Sequence, residues 1–159
     1  MNKQEAKILI TKILEEASKL IPKNIDSDLK AINEYPDVPE WHPYEDKIWT
    51  LGEDIRQILI EHKSLRKDKK LLNLFLEICM NRNAKRGRQS FIMLFCFKHC
   101  AEYAPMIITQ VDDKFVEGHV ILAINKMHAT GYRNLIAKFC ESKNTWIRNE
   151  AKKYMASHK

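Results

Sequence analysis

The second half of the chain repeats its own apolar pattern about every 30 residues, and this constrains the fold more than any single motif. A shift of 30 lays Phe91, Ile92, Met93, Leu94 and Phe97 on Ile121, Leu122, Ala123, Ile124 and Met127. Shifts of 29 to 31 lay Tyr103 on Tyr132, Met106 on Leu135, Ile107 on Ile136, Phe115 on Trp146 and Val116 on Ile147. A period of this length with three- and four-residue apolar spacing inside it describes a repeated helix pair. A third unit begins at Thr145 and has room for one helix.

Composition agrees with helices throughout. The 159 residues include only 4 Gly and 5 Pro, residues that β-rich folds use heavily in turns and that helix interiors exclude. The chain is long enough for one core without metals or disulfides, so a single domain over 1–159 is expected. Residues 4–21 carry Ala6, Ile10, Ile13, Leu14, Ala17, Leu20 and Ile21 on one helical face, which Pro22 ends. A short helix is expected over Asp26 to Asn33, capped by Asp26 or Ser27, followed by a proline-rich loop over 35–44. From Glu45, Ile48, Leu51, Ile55, Ile58 and Leu59 mark the next helix, which should stop near Lys63. Asp68 is placed to cap a helix whose run over 71–79 is apolar on nearly all sides, and the RNAKRGR segment after it reads as a basic loop. The apolar run 91–97 fits a strand as well as a helix by pattern alone, and Cys96, His99, Cys100 and Tyr103 extend it past strand length. Further helices are expected over 105–111, 114–128, 132–141 and 145–156, with connectors short enough to imply antiparallel neighbours.

At the start of the later units an acid or amide stands before a β-branched apolar residue: Asp113 with Val116 and Val120, Asn144 with Ile147, Arg148 and Ala151. Asp113 or Asn144 can accept a bond from the free amides of the helix start. The stretch LIAKFCESKNTWIRNEAKKYM resembles a HEAT-repeat joint, with Arg148 after the apolar residue where such repeats commonly place arginine. The resemblance covers about residues 84–157; Glu117 replaces the arginine at the previous joint, and Arg86 stands at the apolar position of the first. It implies an all-α fold, a short right-handed α-α superhelix over 82–157, with 1–81 as an N-terminal helical section of divergent repeats or a cap. Members of that family are mostly scaffolds and protein-binding modules. A minority act on nucleic acid, including HEAT-like alkylpurine DNA glycosylases, and fold alone does not choose between these.

Charge is divided along the chain. Residues 1–62 hold 8 Lys/Arg against 13 Asp/Glu, a net −5, while residues 63–159 hold 19 against 8, a net +11. Lys63, Arg66, Lys67, Lys69 and Lys70 lead into Arg82, Lys85, Arg86 and Arg88. Either these cations form a surface for an anionic partner, for which Arg82, Lys85, Arg86 and Arg88 are the candidates, or they complement the carbonyl ends of helices.

Catalytic chemistry finds little support. Cys96, His99 and Cys100, at i, i+3 and i+4 of one helix, could offer soft ligands to zinc, but cysteine in an apolar helix behaves as a small hydrophobe and no second ligand pair lies nearby. His119 and His128 read as a helix-start and a helix-end residue, and Asp112 with Asp113 as a helix-start pair. No nucleophile elbow, P-loop, HExxH or dinucleotide glycine pattern occurs. Trp41, beside His42 and Tyr44, either pins its loop or presents a recognition surface; pinning is the cheaper reading. The cysteines at 79, 96, 100 and 140 lack a disulfide-framework spacing, and neither a signal peptide nor a membrane span is legible. The expectation is a cytoplasmic, non-enzymatic helical module for a macromolecular partner, a protein in the first reading and nucleic acid in the second, with no cofactor, metal or membrane involved.

Overall fold

The computed structural model describes residues 1–25 and 41–158, and every regular element among them is helical. The expected helix Asp26–Asn33 and most of the 35–44 loop, Tyr35 included, lie outside the described residues. The chain divides into two compact units, Met1–Phe91 and Ile92–Lys159.

In the first unit, α1 runs Lys3–Leu20. Asn2 and Glu5 form a reciprocal capping box at its start, and the backbone turns extended at Ile21, ahead of Pro22. Ala6, Ile10, Leu14 and Ala17 form its buried stripe, as the spacing predicts. Helix α2, Pro43–Glu61, opens with proline at its first position, where a missing amide costs nothing, and buries Ile48, Gly52, Ile55 and Leu59. A 3-10 turn over Lys63–Lys67 leads to α3, Lys69–Met80, where the Asp68 carboxylate accepts from the Leu71 amide as the sequence indicates. Lys7 meets Asp68 at 2.6 Å near the start of α1, while Lys19 and Glu77 flank one groove near the far ends, so α1 and α3 run parallel.

The segment after α3 departs from expectation. RNAKRG is helical rather than a loop: 3-10 turns over Arg82–Gly87 are interrupted by a kink at Lys85 and bury Ala84, Lys85 and Gly87, and α4 follows at Arg88–Met93. Two glycines let this segment press onto α2: a Cβ on Gly87 would stand 2.8 Å from Ile48, and one on Gly52 would stand 2.0 Å from the Ser90 hydroxyl. Residues 82–91 therefore belong with the N-terminal unit. The boundary between the two units falls inside α4, whose start that close packing holds to α2.

The second unit begins with a correction. The run 91–97 does not continue as one helix: after Met93 the backbone tightens through Phe95 N–H to Ile92 O and Phe97 N–H to Phe95 O, and Phe97 is extended. Cys96 thus lies in a break, with His99 and Cys100 in the 3-10 turn Lys98–Tyr103 beyond it. That turn continues as α5, Ala104–Ile107, and a 3-10 turn to Gln110. Helix α6, Glu117–Met127, ends on His128 in the left-handed conformation (φ 55°), with the Ala129 amide reaching back to Ile124 O. Helix α7, Arg133–Ile136, continues as a 3-10 turn to Glu141, and α8 spans Thr145–Ser157. The side chain of Asn144 accepts from the Ile147 amide, the expected cap. Asp113 accepts instead from Phe115, one turn ahead of α6.

Burial recurs at some of the related positions and differs at others, as at Tyr103, buried, and Tyr132, half-buried. Ile107 and Ile136 are both fully buried, Val116 and Ile147 are both buried, and the paired Met106 and Leu135 are both exposed.

Candidate functional site

The four cations singled out as an anionic-partner surface do not share a surface. Arg88 is fully buried, its Nε donating to Lys85 O at 3.1 Å and its Nη1 to Cys79 O at 3.3 Å. Lys85 is 7% exposed and occupies φ 49°, a conformation that favours glycine. Arg86 turns inward, its guanidinium 4.7 Å from the Trp41 ring centroid and 3.8 Å from the Glu45 carboxylate. Only Arg82 of the four is exposed. The sequence showed the charges but not their direction, and the physical reason for the difference is burial around Gly87.

Glu45 organises this region, and the sequence reading passed over it as the start of a helical stripe. Its carboxylate is completely buried. It accepts from the His42 amide at 2.8 Å and from the Arg86 amide at 3.0 Å, with His42 Nδ1 3.4 Å away. One legible signal was the three-residue step from His42 to Glu45, the spacing of a capping box. The Tyr44 hydroxyl donates to Asn83 O, and the Asn83 side-chain Nδ2 donates to Pro22 O, which ties the start of α2 to the segment just after α1 through residues 82–87. Burial, followed by the Glu45 charge, pushes the Tyr44 phenol far above its ordinary range. Trp41 and Tyr44 thus hold the start of α2 against the 82–87 segment.

Three other arginines reach backbone carbonyls near helix ends. Arg66 Nε donates to Leu59 O in the last turn of α2, and Arg148 Nη1 donates to Ser142 O, just past the turn that follows α7. Arg133 Nη1 donates to Met155 O at 2.7 Å and also to His158 O, at the end of α8. With Arg88 on Cys79 O, these guanidinium groups occupy carbonyls that helix ends leave unsatisfied. The helix-end reading of the basic residues holds for Arg66, Arg88, Arg133 and Arg148, while Arg56 pairs with Glu53 and Arg86 with Glu45.

Burial shifts several titratable groups of the second unit. Burial pushes both the Cys96 and Cys100 thiols up to about 12, so neither is a thiolate at neutral pH. Among the described residues no group of three His, Cys, Asp or Glu is placed to hold a metal ion. Burial lowers His119 to about 4, its ring set edge-on to Trp146 at 5.0 Å. Trp146 rests on the backbone of Gly118, where a Cβ would stand 2.4 Å from the indole. His119 and His128 are a helix-start and a helix-end residue, as read. Burial raises the Glu117 carboxyl, against the lowering effect of Lys138.

Three large apolar side chains of this unit face solvent among its charged residues: Met106, Leu135 and Trp146. Met106 is 39% exposed and Leu135 49%, each next to a fully buried isoleucine. Lys98, Glu102, Lys138 and Glu141 are exposed on the same two segments, so the charge along them is mixed. Among the described residues no helix is long and apolar enough to cross a membrane. No family model, curated protein or solved structure matches the chain.

Proposed function

We propose that the chain is a non-enzymatic helical scaffold that binds another protein, with its repeat-bearing C-terminal part built as HEAT-like repeats in a right-handed α-α superhelix. One observation carries the binding reading: a position related by the repeat presents a large apolar side chain to solvent twice, at Met106 and Leu135. Folding alone gives no reason to keep apolar side chains at both places, whereas a protein partner covering them removes apolar surface from water. The mixed charge nearby suits a protein better than a phosphate backbone. The HEAT-like reading is supported by the recurring burial pattern, by the Asn144 cap and by Arg148 on the carbonyl before its helix.

In-cell photo-crosslinking tests the binding reading, with a photoreactive residue placed at Met106, at Leu135 or at exposed Lys152 as a control. Discrete protein adducts at 106 and 135, absent at 152, are the expected result. Equal labelling at all three, or none, would remove the basis of this reading.

Nucleic-acid binding is the second reading, and it now rests on exposed Lys63, Lys67, Lys69 and Lys70 rather than on the 82–88 segment. Titration of a short duplex at two salt concentrations distinguishes it. Contact with several phosphates gives a steep loss of affinity with salt, which alanine at those lysines flattens.

A further inference from the structure

The parallel helices α1 and α3 leave a groove between them in the first unit. It consists of two adjoining depressions that share Thr11 and Leu74. Leu14 and Leu71, both buried, form its apolar floor with half-buried Leu74. Ile8, 47% exposed, stands one turn before Thr11 on the same shoulder of α1. From Lys7 to Lys19 the α1 wall is about 18 Å long at 1.5 Å per residue, enough for roughly three turns of a second helix.

The charges along the groove are ordered. Lys7 and Lys70 line one end, with Lys67 and Lys69 exposed just before it. Glu15 and Glu77 line the other end, beside Lys19. Because α1 and α3 are parallel, both helix N-termini lie at the lysine end and both C-termini at the glutamate end, so the macrodipoles reinforce the same polarity. Asp68 stays ionised within this arrangement: burial opposes its charge, but the Lys7 ammonium and the Leu71 amide hold its carboxyl below the ordinary value.

The geometry points to this groove as a docking site for an amphipathic helix of a partner protein, acidic where it crosses Lys7 and Lys70 and basic where it crosses Glu15 and Glu77. Apolar residues at i, i+3 or i+4 and i+7 of that helix would meet the leucine floor. A phosphodiester backbone fits poorly, since half of its path would run past Glu15 and Glu77. This site uses residues separate from Met106 and Leu135, so a chain with both would hold two protein surfaces, as a scaffold requires.

The experiment is selection of a phage-displayed library of helical peptides on the full chain, with affinities of the selected synthetic peptides measured by fluorescence anisotropy. The expected peptides share the apolar spacing, carry acidic residues at one end and basic residues at the other, and bind at least tenfold more weakly to Thr11→Trp, which fills the junction of the depressions. Ser18→Arg, at an exposed position of the groove wall, gives an independent block if Thr11→Trp disturbs folding by circular dichroism. Lys70→Glu weakens the same peptides, and exchanging their acidic end for a basic one restores affinity. The inference is overturned if no helical family is enriched, if selected peptides ignore all three variants, or if an oligonucleotide and no peptide binds in a Lys70-dependent manner. Peptides that ignore these variants but are lost on Met106→Lys with Leu135→Lys would overturn the groove while leaving the proposed function standing.

Discussion

Arg88 and Arg148 stand two repeat lengths apart in sequence, and each donates to a carbonyl at the end of the preceding helical segment. A cation with that task is part of the fold. Arg88→Ala should lower stability by about 3 kcal/mol, because it opens a void and leaves the Cys79 and Lys85 carbonyls short of a donor. Arg88→Lys should still lose on the order of 1 kcal/mol, since an ammonium lacks the planar fork. Arg82→Ala should stay within about 0.5 kcal/mol of the parent in urea unfolding, as an exposed position does. His119 gives a pH signature at the same scale. Its folded value of about 4 lies below the ordinary 6.5, so between these two values the unfolded chain binds more protons. Stability should therefore fall as pH drops from about 6.5 towards 4, by roughly 2 to 3 kcal/mol at most from this residue. His119→Gln should flatten that slope in unfolding curves recorded across the window and leave it nearly unchanged above pH 7.

At the scale of elements, contact between α2 and the start of α4 depends on two missing side chains. Gly52→Ala places a methyl group against Ser90 and should cost about 2 kcal/mol, an overpacking penalty that Ser90→Gly relieves in part. A double-mutant cycle on thermal midpoints measures the recovery. Helix α6 offers the opposite effect: His128→Gly at its left-handed cap should raise stability by about 0.5 to 1 kcal/mol in the same assay. Most elements were legible because the cause was local. The stripe of α1, the Asp68 and Asn144 caps and the stop before Pro22 depend on neighbours within one turn. The break after Met93 was not legible, because in a run where nearly every residue is apolar, periodicity carries no mark of where α gives way to 3-10. The inward turn of Lys85, Arg86 and Arg88 was hidden for a different reason. It depends on Glu45, some 40 residues away, and on the close approach that Gly87 allows.

On the scale of the whole molecule, the net charge of +6 loses its simple meaning. Guanidinium groups at 66, 88, 133 and 148 act inside the fold, and the exposed cations are chiefly lysines. The helical character of the chain was legible from the sequence, through its apolar periodicity and scarce Gly and Pro. Which apolar positions would be left outside was not, since Met106 and Ile107 are both apolar and only packing separates them. The central claim is that the outward pair Met106 and Leu135 holds a protein partner. Calorimetric titration of the photo-crosslinked partner, once purified, against the parent chain and against Met106→Lys with Leu135→Lys tests it most directly. The account expects at least tenfold weaker binding and a smaller negative heat-capacity change for the double variant, with its helical circular dichroism intact. Equal affinity and equal heat capacity for the two chains would contradict it.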